Sequence, residues 1–235
     1  MNDPIGRAIA DFYEYGEAPD ILVQTNYTAD ERLSPDWFFR TEEQMPLVER
    51  IALSKSFGKV LDVGAGAGCH ALILQERGFE VTAIDQSPLA VDVMKKRGVQ
   101  QAVCTDIFHF SGKGFDTVLV LMNGTGIGQT ISGLQKMLEY LKKFLSPEGQ
   151  ILIDSSDIHY LFEEEDGSQW VDLANDQYYG EMEYELSYKD TSVKFPWLFT
   201  DFSTLSDVAE KAGLDCTLVV KGEQDDFLAR MKPFF

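Results

Sequence analysis

The residues best suited to chemistry in this chain begin at Val60. The run Val60-Leu61-Asp62-Val63-Gly64-Ala65-Gly66-Ala67-Gly68 carries a short apolar segment straight into three alternating glycines. Ala67 to Arg77 then reads as a helix closed by Gly78. Glycines let a backbone approach a ligand closely and adopt positive φ. The helix N-terminus behind them offers free N–H groups and a favourable dipole to an anion. The spacing is G-x-G-x-G preceded by Asp62, and Cys69 stands where a dinucleotide-binding loop has its small third residue. A nicotinamide cofactor is therefore disfavoured, although a glycine loop alone also suits a tight turn without ligand. Asp85 ends the next apolar run, Glu80 to Asp85, where a carboxylate, with Gln86 beside it, can accept both hydroxyls of a ribose. The alternative for Asp85-Gln86-Ser87-Pro88 is a helix cap by Asp85 or Ser87. After a third run, Val99 to Cys104, Asp106 offers an acceptor for an exocyclic amine and Ile107 an apolar wall for an adenine.

A second group of candidates lies further on. Met122-Asn123-Gly124-Thr125-Gly126-Ile127-Gly128 is a glycine-rich loop in which Asn123 either orients a reacting molecule or caps the loop. Asp154, Asp157, His159 and Tyr160 are candidate general bases, and His159 has an unperturbed pKa suited to that role. His70, in the first turn after the glycine loop, reads as a ligand contact, and His109 in Phe108-His109-Phe110 as structural. The three histidines lack metal-ligand spacing, so no metal is expected. Cys69, Cys104 and Cys216 form no CxxC pair and no disulfide framework. Cys69 is either a reactive thiol or a small buried packing residue.

These residues need elements to position them. From Val60 to Asp154 apolar runs alternate with helical patterns: Pro88 opens a helix that Gly98 closes, Thr117 to Met122 is apolar on both faces, Ile131 to Leu145 is a long amphipathic helix, and Pro147-Glu148-Gly149 turns into Gln150 to Asp154. Such alternation implies a doubly wound α/β sheet that binds ligands past the carboxyl ends of its strands. Residues 1–56, with a helix through Met45 to Ala52, read as an N-terminal helical cap over that cleft. Within residues 157–200, the alternation of Met182, Tyr184, Leu186 and Tyr188, then Val193, Phe195, Trp197 and Phe199, reads as an inserted β-hairpin with one apolar face. That face covers the sheet, the cleft or a partner subunit, so this segment is a lid or a homodimer interface. Residues 201–235 read as a helix from Leu205 to Ala212 and two closing antiparallel strands.

Residues 56–155 resemble the class I S-adenosylmethionine-dependent methyltransferases. Val60 to Gly68 resembles that family's first motif, Asp85 its acidic second motif, Thr105-Asp106 its adenine contact, Phe115-Asp116-Thr117-Val118 its approach to the fourth strand, and Leu145 to Gln150 its turn into the fifth. The resemblance implies one methyltransferase domain with a seven-stranded, mostly parallel sheet of order 3-2-1-4-5-7-6. It implies S-adenosylmethionine as cofactor, with S-adenosylhomocysteine as product, held by Asp62, Gly64, Ala65, Gly66, Gly68, Asp85, Gln86, Asp106, Ile107, Met122 and Asn123. It does not name the acceptor. Methyl transfer to a small molecule is the leading reading. Aminopropyl-type transfer, a non-catalytic cofactor-binding role and a protein substrate stay open.

Composition narrows the partners. The net charge is -19, and without a basic footprint nucleic acid is not an expected substrate. The acidity serves solubility or favours a cationic or neutral acceptor. Glu163-Glu164-Glu165-Asp166 and the row Glu181, Glu183 and Glu185 either recognise an amine or form solvated faces. No run approaches the roughly 20 apolar residues of a membrane span, and the N-terminus lacks a signal-peptide pattern, so a cytoplasmic protein with no membrane partner is expected.

Overall fold

Strands such as Val60-Leu61 and Val118-Leu119-Val120 are apolar on both sides and can be covered only by layers on each face of their sheet. The computed structural model, which describes residues 2–162 and 178–234, builds those layers. In chain order the elements are α1 (Pro4–Tyr15), β1 (Ile21–Thr25), β2 (Glu31–Leu33), 3₁₀ turns at Pro35–Phe39 and Glu42–Gln44, α2 (Leu47–Lys55), β3 (Lys59–Val63), α3 (Cys69–Glu76), β4 (Glu80–Asp85), α4 (Pro88–Arg97), β5 (Gln101–Cys104) and β6 (Phe115–Val120). They continue through a 3₁₀ turn at Gly124–Gly128, α5 (Ile131–Lys142), β7 (Leu145–Ser156), a 3₁₀ turn at His159–Phe162, β8 (Glu181–Tyr188), β9 (Thr191–Leu198), α6 (Phe202–Lys211), β10 (Leu214–Lys221) and β11 (Asp226–Pro233).

The main sheet has order β5-β4-β3-β6-β7-β11-β10, parallel except for β11 and β10. This is the expected 3-2-1-4-5-7-6 arrangement. Local signals set the helix ends. Ser87 accepts from the Ala90 N–H as the N-cap of α4, Pro88 follows, and Gly98 closes the helix in the left-handed conformation. On α5 Leu134, Met137, Leu138 and Leu141 form the buried stripe. The chain does not simply turn before the fifth strand. Register jumps from Phe115↔Leu145 to Thr117↔Gln150, so Pro147-Glu148-Gly149 bulges within β7.

A second sheet, β2-β1-β8-β9, is antiparallel throughout. Here the structure departs from the sequence reading. Residues 1–56 are not only helical: β1 and β2 extend the expected hairpin to four strands. The hydrophobic pattern of β1 and β2 is too short to reveal strands, and β1 takes its second partner from more than a hundred residues away (Val23↔Leu186, for example). The apolar face of this sheet packs on α1, where Ile9, Ile21, Leu186 and Tyr188 share one buried cluster. Charged tethers reinforce it: Tyr188 donates to Asp11 at 2.8 Å, Lys189 reaches the same carboxylate at 2.5 Å, and Arg7 pairs with Asp190 at 2.8 Å. Glu181, Glu183 and Glu185 alternate with the apolar residues as expected. Glu181 accepts from the Ile131 N–H and Glu185 pairs with Lys194. The run Glu163 to Asp166 lies outside the described residues. Among the described residues no helix is long and apolar enough to cross a membrane.

Tyr188→Phe should lower the unfolding free energy by about 1 kcal/mol, because the ring stays packed and only one hydrogen bond is lost. Tyr188→Ala should cost about 3–5 kcal/mol by opening the cluster shared with α1. Urea unfolding of the two variants checks the difference.

Candidate active site

The glycine loop leaves β3 with Gly64, Gly66 and Gly68 all at positive φ, a backbone path that side chains with a Cβ rarely follow. The glycines differ in what they touch. A Cβ on Gly68 would meet Val99 at 2.8 Å and Met94 at 3.0 Å, so this residue lets the start of α3 pack against the end of α4. A Cβ on Gly66 would sit 3.4 Å from Phe38 and 3.9 Å from Ile9, so the N-terminal segment lies directly over the loop. The half-buried Asp85 accepts from the Gly66 N–H at 2.9 Å through Oδ2 and from the Ser87 N–H at 2.8 Å through Oδ1. Ser87 caps α4, and each Asp85 oxygen keeps a lone pair for a ligand. Asp106 instead accepts from the N–H groups of Phe108 and His109 and holds the exposed His109 ring at 2.5 Å, and Ile107 is buried in the core. Cys69 is buried packing.

Next to the loop lies a charged cluster of which the sequence reading singled out Asp62 and His70 but not Arg40 and Glu49. Arg40 follows the first 3₁₀ turn, Glu49 lies on α2, Asp62 on β3 and His70 on α3, and all four are buried. Arg40 Nη2 donates to both Glu49 oxygens at 3.0 Å, and His70 Nε2 donates to Oε2 at 2.6 Å. Burial by itself would lower the His70 pKa, but Cys69, Glu49 and Asp62 raise it to about 10, so the ring keeps its proton. Burial pushes Glu49 up, yet His70 and Arg40 outweigh it and hold the carboxylate below its ordinary range. Burial also raises Asp62. Two atoms of this cluster, Arg40 Nη1 and Asp62 Oδ2, are buried without a hydrogen-bond partner. One is a donor and the other an acceptor. His70, expected to touch a ligand, bonds Glu49. The signal available in sequence was Arg40 inside Trp37-Phe38-Phe39-Arg40, a charge among aromatics.

The loop after β6 is the third part. Met122 and Asn123 take consecutive left-handed conformations (φ 69 and 58), each costing about 1–2 kcal/mol outside glycine. Asp154 compensates by accepting from the Met122 N–H at 3.2 Å and the Gly124 N–H at 2.9 Å. One backbone N–H of the turn thus occupies each Asp154 oxygen, and the carboxylate is buried. The Asn123 Oδ1 accepts from Ser156 at 2.9 Å, which orients its amide. Ile127 touches the glycine loop, since a Cβ on Gly64 would lie 3.4 Å from its Cδ1. On the other side a Cβ on Gly126 would fall 1.9 Å from the Trp197 ring, so only glycine lets the β8–β9 hairpin close here. Past β7, Asp157 accepts from Tyr179 at 2.8 Å and lies 3.2 Å from His159 Nδ1, while Tyr160 is exposed. The structure thus ties Asn123 to the end of the strand that carries the His159 segment.

Comparison with known proteins agrees with this layout. A family described as a methyltransferase domain matches residues 60–149. An S-adenosylmethionine-dependent methyltransferase from Bacteroides fragilis, solved in complex with S-adenosyl-L-homocysteine, is 44% identical, with TM-score 0.93 over 100% of this chain and 96% of that one. The CcbJ methyltransferase of Streptomyces caelestis, 14% identical, shares the fold alone, with TM-score 0.62 over 83% of this chain and 99% of its own. The glycine/sarcosine N-methyltransferase of Parasynechococcus marenigrum is 29% identical over 87 residues, which span 33% of this chain and only 31% of that enzyme.

Asp154 gives the site a pH signature. Burial raises its pKa from 3.8 to about 6, against the pull of the Gly124 and Asn123 N–H groups. Between those values the unfolded chain has released this proton and the folded chain has not, so the unfolded state binds fewer protons and stability falls as pH rises. The Asp154 contribution should therefore decline by on the order of 3 kcal/mol from about pH 4 to pH 6 and stay level above. Asp154→Asn should abolish that slope, as urea midpoints of the two proteins across pH 4 to 7.5 will show.

Proposed function

The chain belongs to the S-adenosylmethionine-dependent methyltransferases, and from that premise we propose that it methylates a small molecule held between the loop at Met122–Gly128 and the β8–β9 hairpin. Its residues suit the cofactor. A nucleoside attached to a zwitterionic amino acid needs a ribose acceptor, a donor for a carboxylate and an acceptor for an ammonium. Asp85, Arg40 Nη1 and Asp62 Oδ2 are of those three kinds: Asp85 bonds the Gly66 N–H, Asp62 lies two residues before the loop, and Arg40 is joined through Glu49 to His70 just after it. These two buried, unpartnered atoms, one a donor and one an acceptor, are the observation that carries the reading. Gly64, Ala65, Gly66 and Gln86 would supply backbone around the ribose and tail, Asp106 and Ile107 would border the adenine, and Met122 and Asn123 would face the transferred group. Gly68 serves packing.

The bound cofactor supplies a methyl group on a positively charged sulfur, already activated for in-line displacement. What the protein adds is position and exclusion of water. Phe38 and Ile9 cover the loop, Ile127 bridges it to the acceptor side, and Trp197 seals Gly126. Asn123, fixed by Ser156, orients the acceptor. His159, paired with Asp157, receives a proton where the acceptor must lose one. Aminopropyl-type transfer fits less well, because a donor lacking the carboxylate leaves the Arg40 Nη1 unpaired in the interior.

Calorimetry with S-adenosylhomocysteine and with 5′-methylthioadenosine, which lacks the amino-acid end, tests these roles. Arg40→Gln should weaken the first by about 100-fold, the range for removing one partner of a buried charged contact, and leave the second within about threefold. Asp85→Ala should weaken both. Equal losses for both ligands in Arg40→Gln would make Arg40 a purely structural residue, and failure of the wild-type chain to bind S-adenosylhomocysteine would remove the site assignment.

A further inference from the structure

Pairing register sorts the second sheet into two faces. Val23, Glu31, Leu186 and Val193 are aligned on one of them, followed by Thr25, Tyr184 and Phe195, then Met182 and Trp197. Arg32, Glu183, Glu185 and Lys194 fall on the other. Glu31 is thus the one charged residue that the register places on the aromatic face. Tyr184, Phe195, Trp197 and Phe199 pack ring to ring, with Tyr184 at 6.1–6.3 Å from the other three centroids. Tyr184 also joins two apolar clusters, one with Met122 and Phe38 and one with Ile158 and Phe162. It stands where the donor side and the acceptor side meet. Burial and then the Glu31 charge push its phenol upward, and the register sets Glu31, exposed on β2, on the same face as Tyr184 with β1 between them.

Positive charge is missing from the same region. Phe144 to Tyr188 contains no Lys or Arg, and Thr117 to Gln135 contains no charged residue at all. Most cations near it are paired: Arg7 with Asp190, Lys189 with Asp11 and Lys194 with Glu185, while Arg32 and Lys194 fall on the opposite face and the free nitrogen of Arg40 belongs to the cofactor side. A carboxylate or phosphate acceptor would leave water for a face that offers it no counter-charge. An ammonium would meet a carboxylate and the π faces of several rings. Resting on the methyl-transfer reading, we propose that the acceptor is an amine on an aryl or alkyl body, with Glu31 and the Tyr184 hydroxyl receiving the nitrogen and Tyr184, Phe195 and Trp197 the body. The ammonium first gives one proton to the His159–Asp157 pair. Its nitrogen lone pair then forms the bond to the methyl carbon as the carbon–sulfur bond breaks toward sulfur. The sulfonium becomes a neutral thioether, and the positive charge remains on the methylated ammonium.

The test is a set of matched acceptors, phenethylamine and hexylamine against 2-phenylethanol, hexanol, phenylacetate and hexanoate. It uses the full chain with S-adenosylmethionine and reads S-adenosylhomocysteine release and product mass. The amines should be methylated, with kcat/KM at least about 100-fold above their alcohol and carboxylate counterparts, as expected for loss of a charged recognition contact. Glu31→Gln should lower kcat/KM for the amines about tenfold, mainly through KM, with S-adenosylhomocysteine affinity unchanged. Methylation of the alcohols or carboxylates at comparable rates, no methylation of any amine by protein that binds S-adenosylhomocysteine, or full activity of Glu31→Gln would each overturn the amine assignment. A wild-type chain unable to bind S-adenosylhomocysteine would instead fail at the cofactor, and the acceptor assignment would fall with it.

Discussion

The Glu49 carboxylate, shared by Arg40 and His70 in the interior, is the contact on which the rest of the site depends. Three charged groups from three elements are removed from water there, an arrangement that gains little over an apolar core while intact. It is costly to break: one missing partner leaves a buried charge uncompensated, at about 3–5 kcal/mol. The contact therefore specifies geometry more than it adds stability. It holds the segment after the 3₁₀ turn at Pro35–Phe39 against α2 and α3, and so brings Phe38 onto Gly66. The same contact aims a guanidinium whose other nitrogen has no partner. An ion pair with a spare donor is an unfinished network, and in the interior such a network is completed by a ligand or by water.

The loop after β6 works by the opposite principle. Where the Arg40 cluster waits for a partner, the Met122–Asn123 turn is already held by Asp154 in a conformation that the chain would not choose alone. The donor N–H groups are aimed at a carboxylate that burial makes reluctant to ionise. Strain, desolvation and hydrogen bonds balance at one point, directly below the place where Ile127 and Trp197 bring the glycine loop and the hairpin together. Asp154 belongs to this support. Its position at the end of a central strand makes it look like a catalytic base in the sequence, whereas in the structure it is buried and each of its oxygens holds a backbone N–H of the turn.

The central sheet was legible because its information is local. Alternation of apolar runs with helical periods, Pro88 opening α4 and Gly98 ending it, and a glycine run after β3 are each written within a few residues. Strand order followed from the family resemblance. What remained hidden is non-local. Nothing around Ile21 to Leu33 announces a partner at Glu181 to Tyr188, because short strands take their register from the surface they join. Arg40 and Glu49 lie nine positions apart and read as ordinary solvated charges until α3 supplies His70. Gly126 reads as one more loop glycine until the Trp197 ring is placed against it. In the same way Asp85 was legible as a strand-end carboxylate, while Asp106 spends its oxygens on its own turn and His109.

Helix α1 joins the two halves of the site. At its start Asp3 accepts from Gly6 as N-cap and from the Ser87 hydroxyl at 2.6 Å, two residues beyond Asp85. Further along, Arg7 and Asp11 hold Asp190, Tyr188 and Lys189 at the turn of the hairpin. One helix thus spans from the end of β4 to the hairpin that carries Tyr184, Phe195 and Trp197. The connection between the Asp85–Ser87 corner and the hairpin is therefore a helix and not a loop. The exposed ion pairs at the hairpin end are individually weak, whereas the Tyr188 ring beneath them is fully packed. The packing carries the stability and the charges set the angle. The N-terminal segment is stitched to the sheet at Ser87, to the glycine loop at Gly66 and to the hairpin at Tyr188, so one element fixes all three relative to one another.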